Sequence, residues 1–162
     1  MKFFVFMPLL ILSLIIACVT TPGTDRKQLN FVPDSQMNQN GEQAYRDIIS
    51  KAKLSQNRTL NDEIVSIGRR IASASGVSYE WEFNVIEDKE TINAFCLPGG
   101  KVAVYTGLVP IAESNAGLAA VMGHEVAHAV LRHSAERLSQ QMVLQVGMVI
   151  TSMSYKNSKY RD

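Results

Sequence analysis

The chain has 162 residues, of which 46% are hydrophobic and 19% charged, and its formal net charge is +1. These values are typical of one globular domain, because a disordered chain carries fewer apolar residues and a larger net charge. No block of basic residues suggests a nucleic-acid partner, and no acidic tail suggests a solvating role. Composition therefore favours a folded domain, and no nucleic-acid partner is expected.

The N-terminal segment has the features of an export signal. Lys2 is followed by an apolar run from Phe3 to Ile16, and Ala17 and Cys18 come next. This run suffices for the core of a signal peptide but falls short of the roughly 20 residues that span a bilayer. Its end, Ile-Ile-Ala-Cys, resembles the lipobox of bacterial lipoproteins.

The lipobox resemblance makes Cys18 the expected lipidation site and residues 1–17 the expected signal peptide. A plain secretory signal that happens to contain a cysteine is the alternative. In Gram-negative lipoproteins, Val19 after the cysteine would favour passage to the outer membrane. The expected location is the cell envelope, with a lipid anchor in the membrane, at the periplasmic face of the outer membrane.

Residues 18–40 are rich in polar side chains and proline without a sustained period, which predicts a tether followed by an extended segment. Residues 41–162 are expected to form the domain itself. Apolar residues recur at helical spacing over 41–55 and again over 60–71. For the second helix, Asn61 or Asp62 is the predicted N-terminal cap and Gly76 the predicted end.

The apolar period then changes to two. Aromatic and polar residues alternate over 79–86, as in a strand with one buried face. Two further strands are predicted over 92–97 and 101–108, and the Pro98-Gly99-Gly100 sequence between them predicts a hairpin turn. Ser114 or Asn115 can then cap a long helix, which is predicted to continue through the histidines into the apolar segment beyond them.

The segment GHEVAHAVLRH, residues 123–133, contains all three histidines of the chain. On a helix, His124 and His128 lie about 40° apart and one turn along, so a single metal ion can bind both rings. Glu125 lies about 100° from His124, beside that point. This is the arrangement of a zincin, in which two histidines bind Zn²⁺ and the glutamate is the general base for a zinc-activated water.

The alternative is a helix with ordinary buried histidines. Because the neighbouring residues are almost wholly apolar, the sequence predicts a helix buried on nearly every side. Two imidazoles and a carboxylate would be costly to desolvate there without partners, and a metal ion would satisfy all three. The sequence therefore favours a site for one Zn²⁺ per chain.

His133 and Cys96 are expected to lie outside the ligand set. On a regular helix His133 falls about 180° from His124, which leaves it a supporting role with Glu136 as a candidate partner. Cys96 has no second cysteine or histidine near it in sequence, and a free cysteine is usually a small buried apolar residue.

A catalytic zinc takes three protein ligands, and this sequence offers two. Past His133 the only acidic residues are Glu136 and Asp162. On a continuous helix Glu136 would lie roughly 12 Å along from His128, too far to share the ion. Asp162 is the last residue, on a polar tail.

Three stretches resemble the zinc metalloendopeptidases related to the CAAX prenyl protease and the OMA-type mitochondrial quality-control protease. They are INAFCLPGGKVAVYTGLVP, AGLAAVMGHEVAHAVLRHSAER and LSQQM. The resemblance covers about residues 25–150 and is greatest to bacterial lipoprotein members that act on misfolded envelope proteins. It implies a zincin-like α+β fold, with a long active-site helix packed on a small antiparallel sheet. It also implies that His124 and His128 are zinc ligands and Glu125 is the catalytic base.

The same resemblance implies a strand edge that pairs with an extended substrate, formed by Asn93, Ala94, Phe95, Gly99 and Gly100. The family's downstream Glu ligand, in a Glu-Ala-Asp motif, has no counterpart here, so the chain is expected to be a C-terminally truncated member. The expected function is zinc-dependent hydrolysis of peptide bonds in unfolded or misfolded envelope proteins. The alternative is a relic of such an enzyme that acts as a binding or chaperone-like lipoprotein.

Overall fold

The structure is a computed structural model that describes residues 18–20 and 27–159, so the predicted signal peptide over residues 1–17 lies outside it. The described residues fall into two compact units. One is formed by those up to Val32 together with those from Ser134 onward, and the other runs from Pro33 to His133.

Short strands and longer helices alternate along the described residues. In chain order the elements are β1 (Cys18–Thr20), β2 (Lys27–Leu29), α1 (Asp34–Lys51), α2 (Arg58–Ser75), β3 (Glu82–Ile86), β4 (Ala94–Leu97), β5 (Lys101–Tyr105), a 3₁₀ turn (Thr106–Leu108), α3 (Val109–Ala112), α4 (Asn115–Val130) and α5 (His133–Lys159).

In the first of these units, β1 and β2 pair antiparallel. The Phe31 amide donates to the Ser139 hydroxyl on α5 at 2.9 Å, and that hydroxyl donates to the Ala135 carbonyl at 2.8 Å. The Cys18 backbone belongs to β1, but its side chain, the predicted lipidation site, lies outside the description.

Helix α5 exposes a run of large apolar side chains, namely Met142, Val143, Leu144, Val146, Met148, Val149 and Ile150. Within the described part of the chain, no helix has both the length and the apolar character needed to cross a membrane.

The second unit is built on a three-stranded sheet of order β3-β5-β4. The predicted hairpin of β4 and β5 is confirmed, with Phe95 opposite Ala103. The expectation of an antiparallel sheet is wrong for β3, which runs parallel to β5, with Phe83 beside Val102. Alternation of apolar and polar side chains identifies a strand but not the strand beside it. Here the segment after β3 crosses to the far side of the position of β5 before β4 begins, so β5 lies between β3 and β4.

The hairpin turn depends on its two glycines. Gly99 and Gly100 have φ values of +86° and +84°, in a region that residues with a side chain rarely adopt. A Cβ atom on Gly100 would also lie 2.8 Å from the Trp81 ring. Both glycines are buried, so the Pro-Gly-Gly signal reflects the conformation and the packing of this turn.

The first two helices of this unit begin earlier than predicted. Helix α1 begins at Asp34 rather than at Gly41, so residues 34–40 are helical and not extended. The N-terminal cap of α2 is Asn57, whose side chain accepts a hydrogen bond from the Leu60 amide at 3.2 Å. An apolar stripe marks only the buried part of a helix, and polar first turns precede it here. The predicted end of α2 at Gly76 is confirmed, with φ +68°.

Two apolar clusters cover the two faces of the sheet. On β5, Val102 and Val104 belong to one cluster and Ala103 to the other, as the alternation of a strand requires. Helices α2 and α4 contribute to the first cluster, and α1 contributes to the second. The unit is thus a sheet between helices, and the predicted α+β class is confirmed.

Candidate metal centre

Helix α4 is oriented by its cap and its apolar face. The Ser114 hydroxyl accepts a hydrogen bond from the Gly117 amide at 3.2 Å, which confirms one of the two predicted caps. The buried residues recur every three or four positions and are Leu118, Met122, Val126 and Ala129. Because this face packs in the core beside the sheet, the opposite face of α4 points away from it.

His124 and His128 lie on that opposite face, which is exposed to solvent. Its exposed residues are Ala116, Ala120, His124, Ala127 and His128. The prediction of a helix buried on nearly every side is therefore wrong. Alanine is apolar in composition yet leaves little apolar surface in water, so the sequence pattern does not distinguish a covered face from an open one with small side chains.

His124 and His128 converge as their spacing predicts. Their Nε2 atoms are 3.0 Å apart, and the two rings are inclined by 82°. Two nitrogens bound to one tetrahedral zinc ion at the usual Zn–N distance would be about 3.3 Å apart. The pair therefore fits two of the positions around a zinc ion. Among the described residues, no group of three or more His, Cys, Asp or Glu side chains is placed to hold a metal.

Glu125 lies on the side of α4 that approaches β4. Its side chain is partly buried, and its negative charge interacts electrostatically with Cys96 on β4. Burial raises the pKa of the Cys96 thiol to about 12, and the nearby Glu125 carboxylate contributes to that rise. Cys96 itself packs against the core, as expected from the sequence. The carboxylate of Glu125 is thus close enough to β4 to act on Cys96, and Glu125 follows His124 directly in the sequence.

The predicted continuous helix is wrong at His133. Helix α4 ends at Val130, Arg132 has a φ of +59°, and α5 begins at His133. This break brings His133 Nδ1 to 2.6 Å from His128 Nδ1. The sequence contains no glycine or proline at the break, so regular helical geometry placed the third histidine on the wrong side. The one feature of the sequence that could have indicated a role for His133 at this site is its closeness in sequence to His128.

Strand β4 is an edge of the sheet. The Tyr105 amide donates to the Asn93 carbonyl at 3.0 Å, and Ala94 stands opposite Val104. In an antiparallel ladder the inward hydrogen bonds alternate, so the backbone groups of Ala94 and Cys96 point away from β5. The part of this edge that contains Cys96 lies near Glu125, because the charge of Glu125 contributes to the raised pKa of the Cys96 thiol.

The other predicted edge residues have different surroundings. The Phe95 ring contacts the rings of Tyr45 and Tyr105, with centroids 6.3 Å apart in each case. Gly99 and Gly100 are buried in the hairpin turn. The structure thus brings Ala94 and the nearby strand to the Glu125 side of α4, whereas the glycines close the hairpin. Contact of any of these residues with substrate stays a prediction.

A groove of about 730 Å³ lies between α2 and the start of α4, and it contains none of the predicted site residues. Glu63 and Arg70 are among the side chains that line the groove. The lining contains no two residues of the types His, Cys, Asp or Glu. The groove therefore does not compete with the histidine pair as a candidate metal centre.

A His-Glu-x-x-His helix packed against an edge strand defines a zincin-like metallopeptidase domain. The profile of peptidase family M48 matches residues 58–161, and the chain belongs to this family. Family membership agrees with the resemblance seen in the sequence, since the relatives include metalloendopeptidases named OMA1.

The relatives come from mitochondria and from bacteria. The chain is 38% identical over 122 residues to the mitochondrial metalloendopeptidase OMA1 of Schizosaccharomyces pombe. The match covers 73% of this chain and 36% of that protein. It is 43% identical over 83 residues to the putative beta-barrel assembly-enhancing protease of Vibrio cholerae, 51% of this chain and 17% of that protein. The beta-barrel assembly-enhancing protease of Escherichia coli is 34% identical over 104 residues, 64% of this chain and 21% of that protein. The chain thus spans about a third or less of these relatives.

Proposed function

We propose that the chain carries the zinc-binding core of a metalloendopeptidase. His124 and His128 bind one Zn²⁺ through their Nε2 atoms, and Glu125 acts as the general base. The observation that carries this proposal is the convergence of the two Nε2 atoms to 3.0 Å beside a partly buried carboxylate. A catalytic zinc takes three protein ligands, and no third His, Cys, Asp or Glu of the described residues joins this pair in a group that could hold a metal, so the proposal requires one more ligand.

Each residue has a separate task in this mechanism. A bound zinc would supply a Lewis acid and lower the pKa of a bound water toward about 7. Glu125 accepts the proton of the attacking water on its carboxylate and then donates it to the leaving amine. The effect of its charge on Cys96 supports a carboxylate near the strand edge, and its place directly after His124 supports one near the histidines.

The substrate in this proposal is an unfolded polypeptide. An extended peptide can pair with the outward backbone groups of Ala94 and Cys96, which places its scissile bond near Glu125. Pairing through the backbone is indifferent to most of the sequence, as suits an enzyme that acts on misfolded chains. Two bacterial relatives are named beta-barrel assembly-enhancing proteases, which supports envelope proteins as substrates. A lipid anchor on Cys18 would hold the enzyme at the periplasmic face of the outer membrane.

Cleavage of an unfolded reporter protein tests the proposal. The zinc-loaded full chain is compared with Glu125→Gln, which keeps the shape of the side chain but cannot accept the proton. We expect a loss of cleavage of about 10²- to 10⁴-fold with zinc content unchanged. Glu90→Gln removes an exposed carboxylate from a loop and is the matched control. Removal of zinc by a chelator should abolish cleavage by the wild-type chain, and equal cleavage by Glu125→Gln would refute the catalytic assignment.

The second candidate function is a binding module that no longer cleaves. The presence of only two zinc ligands among the described residues favours it. Such a protein would suppress aggregation of an unfolded protein equally well as wild type and as Glu125→Gln, and would release no peptides. Aggregation and peptide release measured on the same samples distinguish the two functions.

A further inference from the structure

We infer that His133 is a positioning residue, which holds His128 in the tautomer that can bind a metal ion. The inference rests on the proposed function, because His128 is one of the two proposed zinc ligands. Its basis is the short contact between His128 Nδ1 and His133 Nδ1, at 2.6 Å. The two rings are inclined by 66°, with centroids 4.7 Å apart.

This contact exists because the helix breaks before His133. On a continuous helix, residues five positions apart point about 140° away from each other and are about 7.5 Å apart along the axis. Here the Leu131 amide donates to the Ala127 carbonyl at 2.8 Å, and Arg132 then turns into the left-handed region with φ +59°. Residues other than glycine rarely adopt that region, and such conformations are frequent near functional sites.

Arg132 is also held from outside the turn. Its guanidinium group pairs with the Asp34 carboxylate at 2.5 Å, at the first residue of α1. The backbone of the turn is thus fixed by hydrogen bonds to α4 and the side chain by an ion pair to α1. This arrangement directs the imidazole of His133 back onto His128.

A single hydrogen between the two Nδ1 atoms determines what His128 can bind. In a neutral imidazole one nitrogen carries a hydrogen and the other has a free electron pair. If His128 Nδ1 carries the hydrogen and His133 accepts it, His128 Nε2 is free to bind a metal ion. If His133 Nδ1 carried it instead, the hydrogen of His128 would be on Nε2, the atom that faces His124.

In the first arrangement the contact between His128 and His124 is also a hydrogen bond. His128 Nε2 and His124 Nε2 are 3.0 Å apart, so without a metal His124 can donate to the free electron pair of His128. For both Nε2 atoms to hold a metal ion, the hydrogen of His124 would have to move to its Nδ1, whereas nothing would have to change at His133. Histidine ligands in metal sites generally donate their second ring N–H to an acceptor, and loss of that acceptor typically lowers metal affinity 10- to 100-fold.

Zinc affinity of the full chain, measured by competition with a chromophoric chelator, tests this role. We expect His133→Phe, which keeps a planar ring without nitrogen, to bind zinc about 10- to 100-fold more weakly than wild type. His133→Asn places an acceptor oxygen near the position of Nδ1 and should stay within about threefold of wild type. His133→Gln places it further out and should resemble His133→Phe. The exposed neighbour Ser134, changed to Ala, is the control.

Nitrogen NMR of the metal-free protein supplies a second readout. In the wild-type chain His128 should carry its hydrogen on Nδ1, and in His133→Phe this preference should be lost. If wild type binds zinc and His133→Phe binds it equally well with the same His128 tautomer, the positioning role is wrong and the proposed function stands. If wild type binds no zinc, the proposed function fails, and the tautomer of His128 alone decides whether His133 orients it. Should His133→Phe not fold, the comparison of Asn with Gln gives the same decision.

Discussion

The Tyr45 hydroxyl on α1 donates a 2.7 Å hydrogen bond to the Val102 carbonyl on the central strand. It also accepts a hydrogen bond from the Asn84 amide at 3.1 Å. Tyr45 is 1% exposed, so these bonds form where water does not compete. They attach α1 to the sheet on the face opposite the histidine helix.

Tyr45→Phe should destabilise the domain by roughly 1–3 kcal/mol, because the buried Val102 carbonyl and the Asn84 amide lose a partner. Urea unfolding at neutral pH measures this loss. Ile48→Val, which trims an apolar neighbour on the same helix without removing a hydrogen bond, is the control. Equal free energies of unfolding for wild type and Tyr45→Phe would show that the hydrogen bonds contribute nothing net.

The pH dependence of the same variant tests the burial of the phenol. Burial raises the pKa of Tyr45 above its ordinary value of 10.0, partly offset by the hydrogen bond from Asn84. The folded state therefore keeps a proton that the unfolded state releases above about pH 10, so the free energy of unfolding falls as the pH rises beyond 10. Tyr45→Phe should show a weaker alkaline decline. An identical decline in both proteins would mean that Tyr45 ionises equally in the folded and unfolded states.

Gly76 and Gly100, two of the three described glycines with positive φ, differ in their surroundings and give a further prediction. Gly76→Ala introduces a Cβ with nothing within 4 Å, so it should cost about 1 kcal/mol from backbone strain alone. Gly100→Ala introduces the same strain and a Cβ at 2.8 Å from Tyr79 and Trp81, so it should cost about 2–4 kcal/mol. Thermal unfolding of the two variants measures the difference. Equal losses would show that the hairpin does not pack as described.

The closeness of Glu125 to Cys96 can be measured by alkylation in a Cys18→Ser background. Because burial raises the pKa of Cys96 to about 12, iodoacetamide at pH 8.5 should label the folded chain more than about tenfold more slowly than the urea-unfolded chain. Glu125→Gln removes a negative charge that raises this pKa, so labelling of the folded variant should be faster. No acceleration relative to Glu90→Gln would place Glu125 away from β4.

Proline substitutions test the substrate edge. Ala94→Pro removes an amide that points away from β5, so the strand should keep its pairing while cleavage of an unfolded substrate falls severalfold. Phe95→Pro removes an amide that bonds to β5 and should instead destabilise the whole domain. Circular dichroism and cleavage rates are compared at equal zinc content. Unchanged cleavage by Ala94→Pro would show that substrate does not pair along this edge.

Local patterns predicted the elements that local chemistry determines. The hairpin followed from Pro98-Gly99-Gly100, because two consecutive positive φ values require glycine. The convergence of His124 and His128 followed from the spacing of four residues, which is a property of any regular helix. In both cases the residues that define the feature are neighbours in sequence.

Features set by distant contacts were not predictable in the same way. The parallel pairing of β3 with β5 depends on where the chain crosses the sheet, which no alternation records. The helix break at Arg132 occurs at a residue with no turn preference and is accompanied by an ion pair to Asp34, 98 positions away. The open face of α4 was missed because alanine counts as apolar whether or not it is covered.

Zinc content is the most direct test of the central claim, that His124 and His128 hold a metal ion. The full chain is purified with zinc, dialysed, and analysed for metal per chain beside His124→Ala, His128→Ala and Glu125→Gln, with circular dichroism to confirm folding. We predict one zinc per chain in wild type and in Glu125→Gln, and its loss from both histidine variants. A folded wild-type chain without zinc, or zinc retained at the same level in both histidine variants, would contradict the claim.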